Sequence, residues 1–137
     1  MTEEREELVR YRVARARMTL AEAEAMAQAS LWNGCVNRLY YACFYAATAL
    51  LLRHGLSSSK HSGVRSLFNR EFVRTSAIGR QLGELYNTLF RSRNRGDYDD
   101  LVWFEESEVR PWVEQVRQFV ARIEALLAAP RQEEPLA

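Results

Sequence analysis

The side chains with the most chemistry in them lie in one short stretch, Arg91-Ser92-Arg93-Asn94-Arg95-Gly96-Asp97-Tyr98-Asp99-Asp100. A guanidinium presents a planar fork of donors that matches phosphate or carboxylate oxygens two at a time. On a helix, Arg91 and Arg95 share a face while Arg93 points away from them. Two readings fit. In one, Arg93, Asn94, Asp97 and Tyr98 line a polar cleft at a groove of the bundle, with Arg91 a further candidate for binding an anion. In the other, three arginines at a helix C-terminus complement the negative end of the macrodipole. Asp97 then only makes a turn with Gly96 or pairs with an arginine.

An acid–base group working near neutral pH would have to be one of two histidines, His54 and His61. His61 either reaches the arginines through the fold or is a polar residue on a surface loop at a helix start. Ser57, Ser58 and Ser59 lie close to it in sequence, but neighbours without geometry are not a nucleophilic site. The sequence has no glycine-rich phosphate loop, no Cys/His cluster at metal-ligand spacing and no Glu-x-x-His pair. No metal or other cofactor is expected.

The net charge of +1 hides an asymmetry. Residues 1–52 carry six acidic and six basic side chains, residues 53–96 nine basic against two acidic, and residues 97–137 four basic against ten acidic. Either the basic middle and acidic end pair across the fold, or the middle makes a surface for phosphate or RNA backbone.

Helices must position these groups. Leu8, Tyr11, Ala14, Met18, Ala21, Ala25 and Ala29 recur at gaps of three and four, predicting a first helix with that face inward and Thr2 as its N-cap. Glu6 and Arg10 stand at i,i+4 on the other face. From about Leu31 to His54 the chain is apolar nearly all round (Val36, Leu39, Tyr40, Cys43, Phe44, Leu50), as in a central helix ended by Gly55. One of Ser57–Ser59 is expected to cap a third helix with Val64, Leu67, Phe68 and Phe72 inward. Ile78, Leu82, Leu85 and Leu89 mark a fourth, broken at Gly96. Pro111 places the start of the fifth, with Val109, Trp112, Val116, Phe119, Ile123 and Leu126 inward. No segment alternates with period two. The expectation is an all-α antiparallel bundle of four to five helices over residues 1–129, followed by a polar, frayed tail over 130–137.

A chain of 137 residues with 47% apolar and 27% charged side chains is enough for one core. Cys35 and Cys43, eight residues apart on one helix, lie roughly 12 Å from each other and cannot bridge. They read as core residues in a reducing compartment, and the acidic N-terminus lacks a signal-peptide core. The apolar run Leu39 to Leu52 is short for a bilayer span. A cytoplasmic protein with no membrane partner is expected.

The run Asn37-Arg38-Leu39-Tyr40-Tyr41-Ala42-Cys43-Phe44-Tyr45-Ala46, then Leu50-Leu51, Lys60-His61, Phe68, Phe72 and Arg93 through Asp97-Tyr98, resembles a HEPN domain. The closest likeness is to the small stand-alone type that pairs with a minimal nucleotidyltransferase in prokaryotes. The resemblance spans about residues 5 to 128. It implies a helical bundle, a homodimer, a nucleotidyltransferase partner and a role in a toxin–antitoxin or defence pair. Many members of the family are metal-independent ribonucleases. They carry an arginine followed by a polar residue, with a histidine four to six positions after the arginine. The arginine holds the scissile phosphate and the histidine acts as acid or base toward the 2′-OH. Arg93-Asn94 matches the start of that motif, but Tyr98 stands where the histidine belongs. Tyrosine titrates near pH 10 and is a poor base at neutral pH. The resemblance therefore carries a phosphate-binding role onto Arg93, supported by Asn94, with His61 as a candidate substitute base. Tyr98 becomes a contact residue or, as in some related toxins, a site adenylylated by the partner. A ribonuclease toxin and a non-catalytic docking dimer are the alternatives.

Overall fold

The computed structural model describes residues 2–98 and 101–129. The expected tail at 130–137, and Asp99 and Asp100, lie outside them. Five α-helices are present among the described residues: α1 Glu3–Gln28, α2 Trp32–Arg53, α3 His61–Phe68, α4 Arg80–Tyr98 and α5 Glu106–Ala128. A single π-helical turn, Asn69–Val73, extends α3. No strand occurs among the described residues. The all-α bundle is the expected fold.

The second helix is the centre. Cys35, Val36, Leu39, Tyr40, Ala42, Cys43, Ala47 and Ala49 are wholly buried, because α1, α3, α4 and α5 all pack on it. By length and composition α2 could also cross a bilayer, but its apolar character is accounted for by this burial. Gly55 follows the helix with φ +74°, a left-handed conformation that costs other residues more. Both cysteines are free and buried, and burial pushes the Cys35 thiol up to about 11.

Thr2 caps α1 as expected, accepting from the Arg5 amide at 3.2 Å, but the buried face of that helix is not the expected one. Val9, Ala16, Leu20, Ala23 and Ala27 are buried, whereas Leu8, Tyr11 and Met18 are exposed at 39%, 59% and 61%. Two stripes with the same 3–4 spacing run along α1, and periodicity cannot choose between them. The buried one is rich in alanine, and small side chains let α1 lie close against the crowded surface of α2. Glu6, expected to pair with Arg10, reaches across to Arg53 instead, at 3.3 Å.

Three boundaries also differ. Gly96 does not break α4, which runs on to Tyr98. A Cβ there would stand 2.8 Å from Cε2 of Phe104, so the glycine makes room for the returning chain rather than ending the helix. The fifth helix begins before Pro111, at Glu106, where the Glu108 carboxylate accepts from the Glu105 amide at 3.3 Å. The N-cap of α3 is Lys60, and no serine caps it. Ser58 accepts from the Lys60 amide at 3.3 Å instead.

Candidate functional site

The inward face of α4 carries Arg93, which is only 8% exposed. Its guanidinium lies over the ring of Tyr40, 4.8 Å from the centroid, and 5.6 Å from that of Tyr41. Such contacts offset part of the cost of burying a cation. Its polar contacts are long: Nη1 is 3.5 Å from Asp97 Oδ2 and Nη2 is 3.5 Å from His61 Nδ1. Nε is buried without a hydrogen-bond partner. A buried guanidinium so thinly satisfied gains strongly from any anion that reaches it.

His61 opens α3 and is half-buried, not a surface-loop residue. Its ring stacks on Phe44, with centroids 4.3 Å apart, and meets Tyr41 edge-on. Nδ1 is 3.0 Å from the Tyr40 hydroxyl. Burial lowers the pKa of His61, and the Arg93 charge lowers it further, so the ring is neutral near pH 7. Burial pushes Tyr40 up to about 12, so its phenol keeps its proton. A guanidinium only donates. With a donor on each side, Nδ1 is the acceptor and the neutral imidazole carries its proton on Nε2.

A second layer holds Asp97. Asn37 Nδ2 donates to both of its carboxylate oxygens, at 3.1 and 3.4 Å. The Asn37 carbonyl oxygen in turn accepts from Arg38 Nη2 at 2.7 Å and Nε at 3.1 Å. Asn37, Tyr40, Tyr41 and Phe44 are spaced i, i+3, i+4 and i+7, so one face of α2 floors the whole site.

The structure thus brings together Arg93, His61 and Asp97. Arg91 is exposed and, as on any helix, turned away from Arg93. Asn94 is half-buried beside the site. Tyr98 is the last residue of α4, and its side chain lies outside those described. Tyr40, Phe44 and Asn37 belong to the site as well. Their spacing on α2 was visible in the sequence, but an apolar helix conceals which of its aromatics hold a polar group.

Among the described residues, ion pairs do not cancel the charge asymmetry. Among ion pairs of the described residues, only Arg93–Asp97 joins the basic middle to the acidic end. The acidic groups of α5 pair with α1 and α5 instead, through Arg17–Glu124, Arg110–Glu106 and Arg117–Glu114.

The model of the HEPN domain matches residues 9–126, which include every residue of this site. The chain belongs to the HEPN domain family. A UPF0332 protein of Thermotoga maritima is 45% identical over 124 residues, covering 90% of this chain and 94% of that protein. The "Putative toxin MJ0605" of Methanocaldococcus jannaschii is 32% identical over 108 residues, 79% of this chain and 80% of its own length. The "Putative toxin MJ0142" of the same organism is 31% identical over 96 residues, 70% of this chain and 65% of that protein. Two of these relatives of the HEPN protein are thus named as putative toxins.

Proposed function

We propose that this HEPN protein binds a phosphate of RNA or of a nucleotide at Arg93. In this reading it is one half of a prokaryotic toxin–antitoxin or defence pair whose other half is a minimal nucleotidyltransferase. The observation that carries the binding role is the buried Arg93 guanidinium, with its unpartnered Nε and its 3.5 Å contacts to Asp97 and His61. A phosphate oxygen supplies what those donors lack. The partner and the homodimer rest on the family resemblance, a cytoplasmic setting without a membrane on the two buried free cysteines and the burial of α2, and the toxin role also on the names of the relatives.

His61 favours a second reading, a metal-independent ribonuclease. The family's motif histidine is replaced by Tyr98, but a histidine from α3 stands against the motif arginine. A phosphate on Arg93 offsets the guanidinium charge and makes His61 easier to protonate, as an acid for the leaving oxygen requires.

The test is an RNA cleavage and binding assay in EDTA, comparing wild type with Arg93→Ala. Arg93→Ala is expected to bind single-stranded RNA more weakly and to flatten its salt dependence by about 0.7 in slope, one phosphate contact's worth. Cleavage lost in the mutant establishes the ribonuclease. Binding and salt slope equal in the two proteins sink the phosphate site and leave a docking module.

A further inference from the structure

We propose that the cavity between α1, α2 and the α2–α3 loop is a nucleobase subsite adjoining the Arg93 phosphate site. The proposal rests on the reading that Arg93 holds a phosphate of RNA or of a nucleotide. The cavity has a volume of about 210 Å³ and three aromatic walls, Tyr11, Phe44 and Tyr45, with Arg12, Ser57 and Ser58 at its polar side. Its depth is closed by buried Leu51 and Val64.

The chemistry of the walls selects a flat π system with polar edges. Tyr45 is held rigid, since Arg15 Nη2 donates to its hydroxyl at 2.9 Å and the Arg15 guanidinium lies 4.9 Å from its ring centroid. Tyr11 stands 59% exposed on α1, on the stripe that periodicity placed inward. An aromatic ring kept in solvent at the mouth of a cavity is a stacking platform, and every base offers it a π face. Arg12 is half-buried and enters no ion pair or hydrogen bond among the described residues. It is thus available to the rim of the base or to a neighbouring phosphate. Ser58 accepts from the Lys60 amide and keeps its own proton to donate. Thr48 also lines the cavity, but its hydroxyl is committed to the Tyr45 carbonyl at 2.8 Å.

Phe44 ties this cavity to the phosphate site. Its ring forms part of the cavity wall and also stacks on His61, which touches Arg93. Val64, three residues after His61 on α3, lines the cavity too. A base in the cavity and a phosphate on Arg93 are then separated by the Phe44–His61 stack. The bound class is a purine or pyrimidine base carried by a phosphorylated ribose, whether in an RNA strand or as a free mononucleotide.

Titration calorimetry on the full chain tests this with three ligands: a short single-stranded RNA, a 5′-mononucleotide and inorganic phosphate. Tyr11→Ala is expected to weaken RNA about tenfold, the worth of one stacked base, and to leave inorganic phosphate unchanged. Tyr11→Phe should restore binding, and Arg12→Ala should weaken RNA in the same direction. Losses for the mononucleotide as well identify a free nucleotide as a ligand, and losses for RNA alone identify a strand. The subsite is overturned if Tyr11→Ala and Arg12→Ala both bind RNA and mononucleotide within twofold of wild type. If Arg93→Ala is impaired in that same experiment, the phosphate reading survives the loss of the subsite. Binding sensitive to Tyr11→Ala but indifferent to Arg93→Ala keeps the base pocket and removes the phosphate reading instead.

Discussion

Two arginines in two seams of this bundle are held in opposite ways. On the outer seam between α1 and α5, Arg117 reaches Glu24 at 2.7 and 3.2 Å and Glu114 at 2.8 Å, with its side chain 46% exposed. Those hydrogen bonds, to Glu24 first, raise its pKa. On the inner seam between α2 and α4, Arg93 is buried, and its contacts to Asp97 and His61 are both 3.5 Å. The better-partnered cation is the one that water could have solvated anyway. The worse-partnered one sits where desolvation is costly and where an incoming anion gains most. Arg117 contributes to the surface, and Arg93 is placed for a ligand.

The largest effect separating the two belongs to Arg93→Met, which keeps the side-chain volume and removes the charge. RNA affinity is expected to fall about 10–100-fold, the range of a charged hydrogen-bonded contact. Stability in urea should stay level or rise by about 1 kcal/mol, because an ill-paired buried ion is removed. A loss of stability above ~2 kcal/mol would make Arg93 a structural ion and break the contrast.

Next in size is a dependence on pH. Burial first, and Arg93 second, lower the pKa of His61 below its value of about 6.5 in an unfolded chain. Between the two values the unfolded chain binds more protons than the folded one. Stability therefore falls as pH drops through about 6.5 and levels off below the folded pKa. Melts from pH 7.5 to 5 should show a shallower decline in His61→Asn than in wild type. Equal slopes would mean that neither burial nor the guanidinium lowers the pKa of His61.

The smallest effect is the control. Arg117→Ala should cost less than ~1 kcal/mol and leave RNA binding within experimental error of wild type. A loss of RNA binding there would extend the ligand surface to the outer seam.

The bundle was legible because its signals are periodic and redundant. The all-round apolar character of α2 and the Val109–Leu126 stripe of α5 each point to one placement. The face of α1 was not legible, because Leu8-Tyr11-Met18 and Val9-Ala16-Leu20 have the same spacing, and partner shape decides between them. Gly96 was misread because a glycine that ends a helix and one that admits a ring look alike in one dimension. At the site, Arg93 was singled out by its segment alone. His61 lies 32 residues before it and joins it only through the α3–α4 packing. No local pattern carries such a pairing, and the aromatic floor from α2 was hidden by its own apolarity.

Asn33, at the start of α2, has a bearing on how the far end of α4 is held. Its side chain donates to the Val102 carbonyl at 2.8 Å and accepts from the Phe104 amide at 2.9 Å, taking the place of a neighbouring backbone strand. Asn37, one turn later on the same edge, grips Asp97. Two amide side chains thus stitch α4 and its exit to a single edge of the most buried helix, like adjacent teeth of a fastener. Pulling the 101–104 segment away strains the edge that also steadies the carboxylate beside Arg93. The geometry of the anion site and the path by which the chain leaves α4 are therefore one mechanical unit.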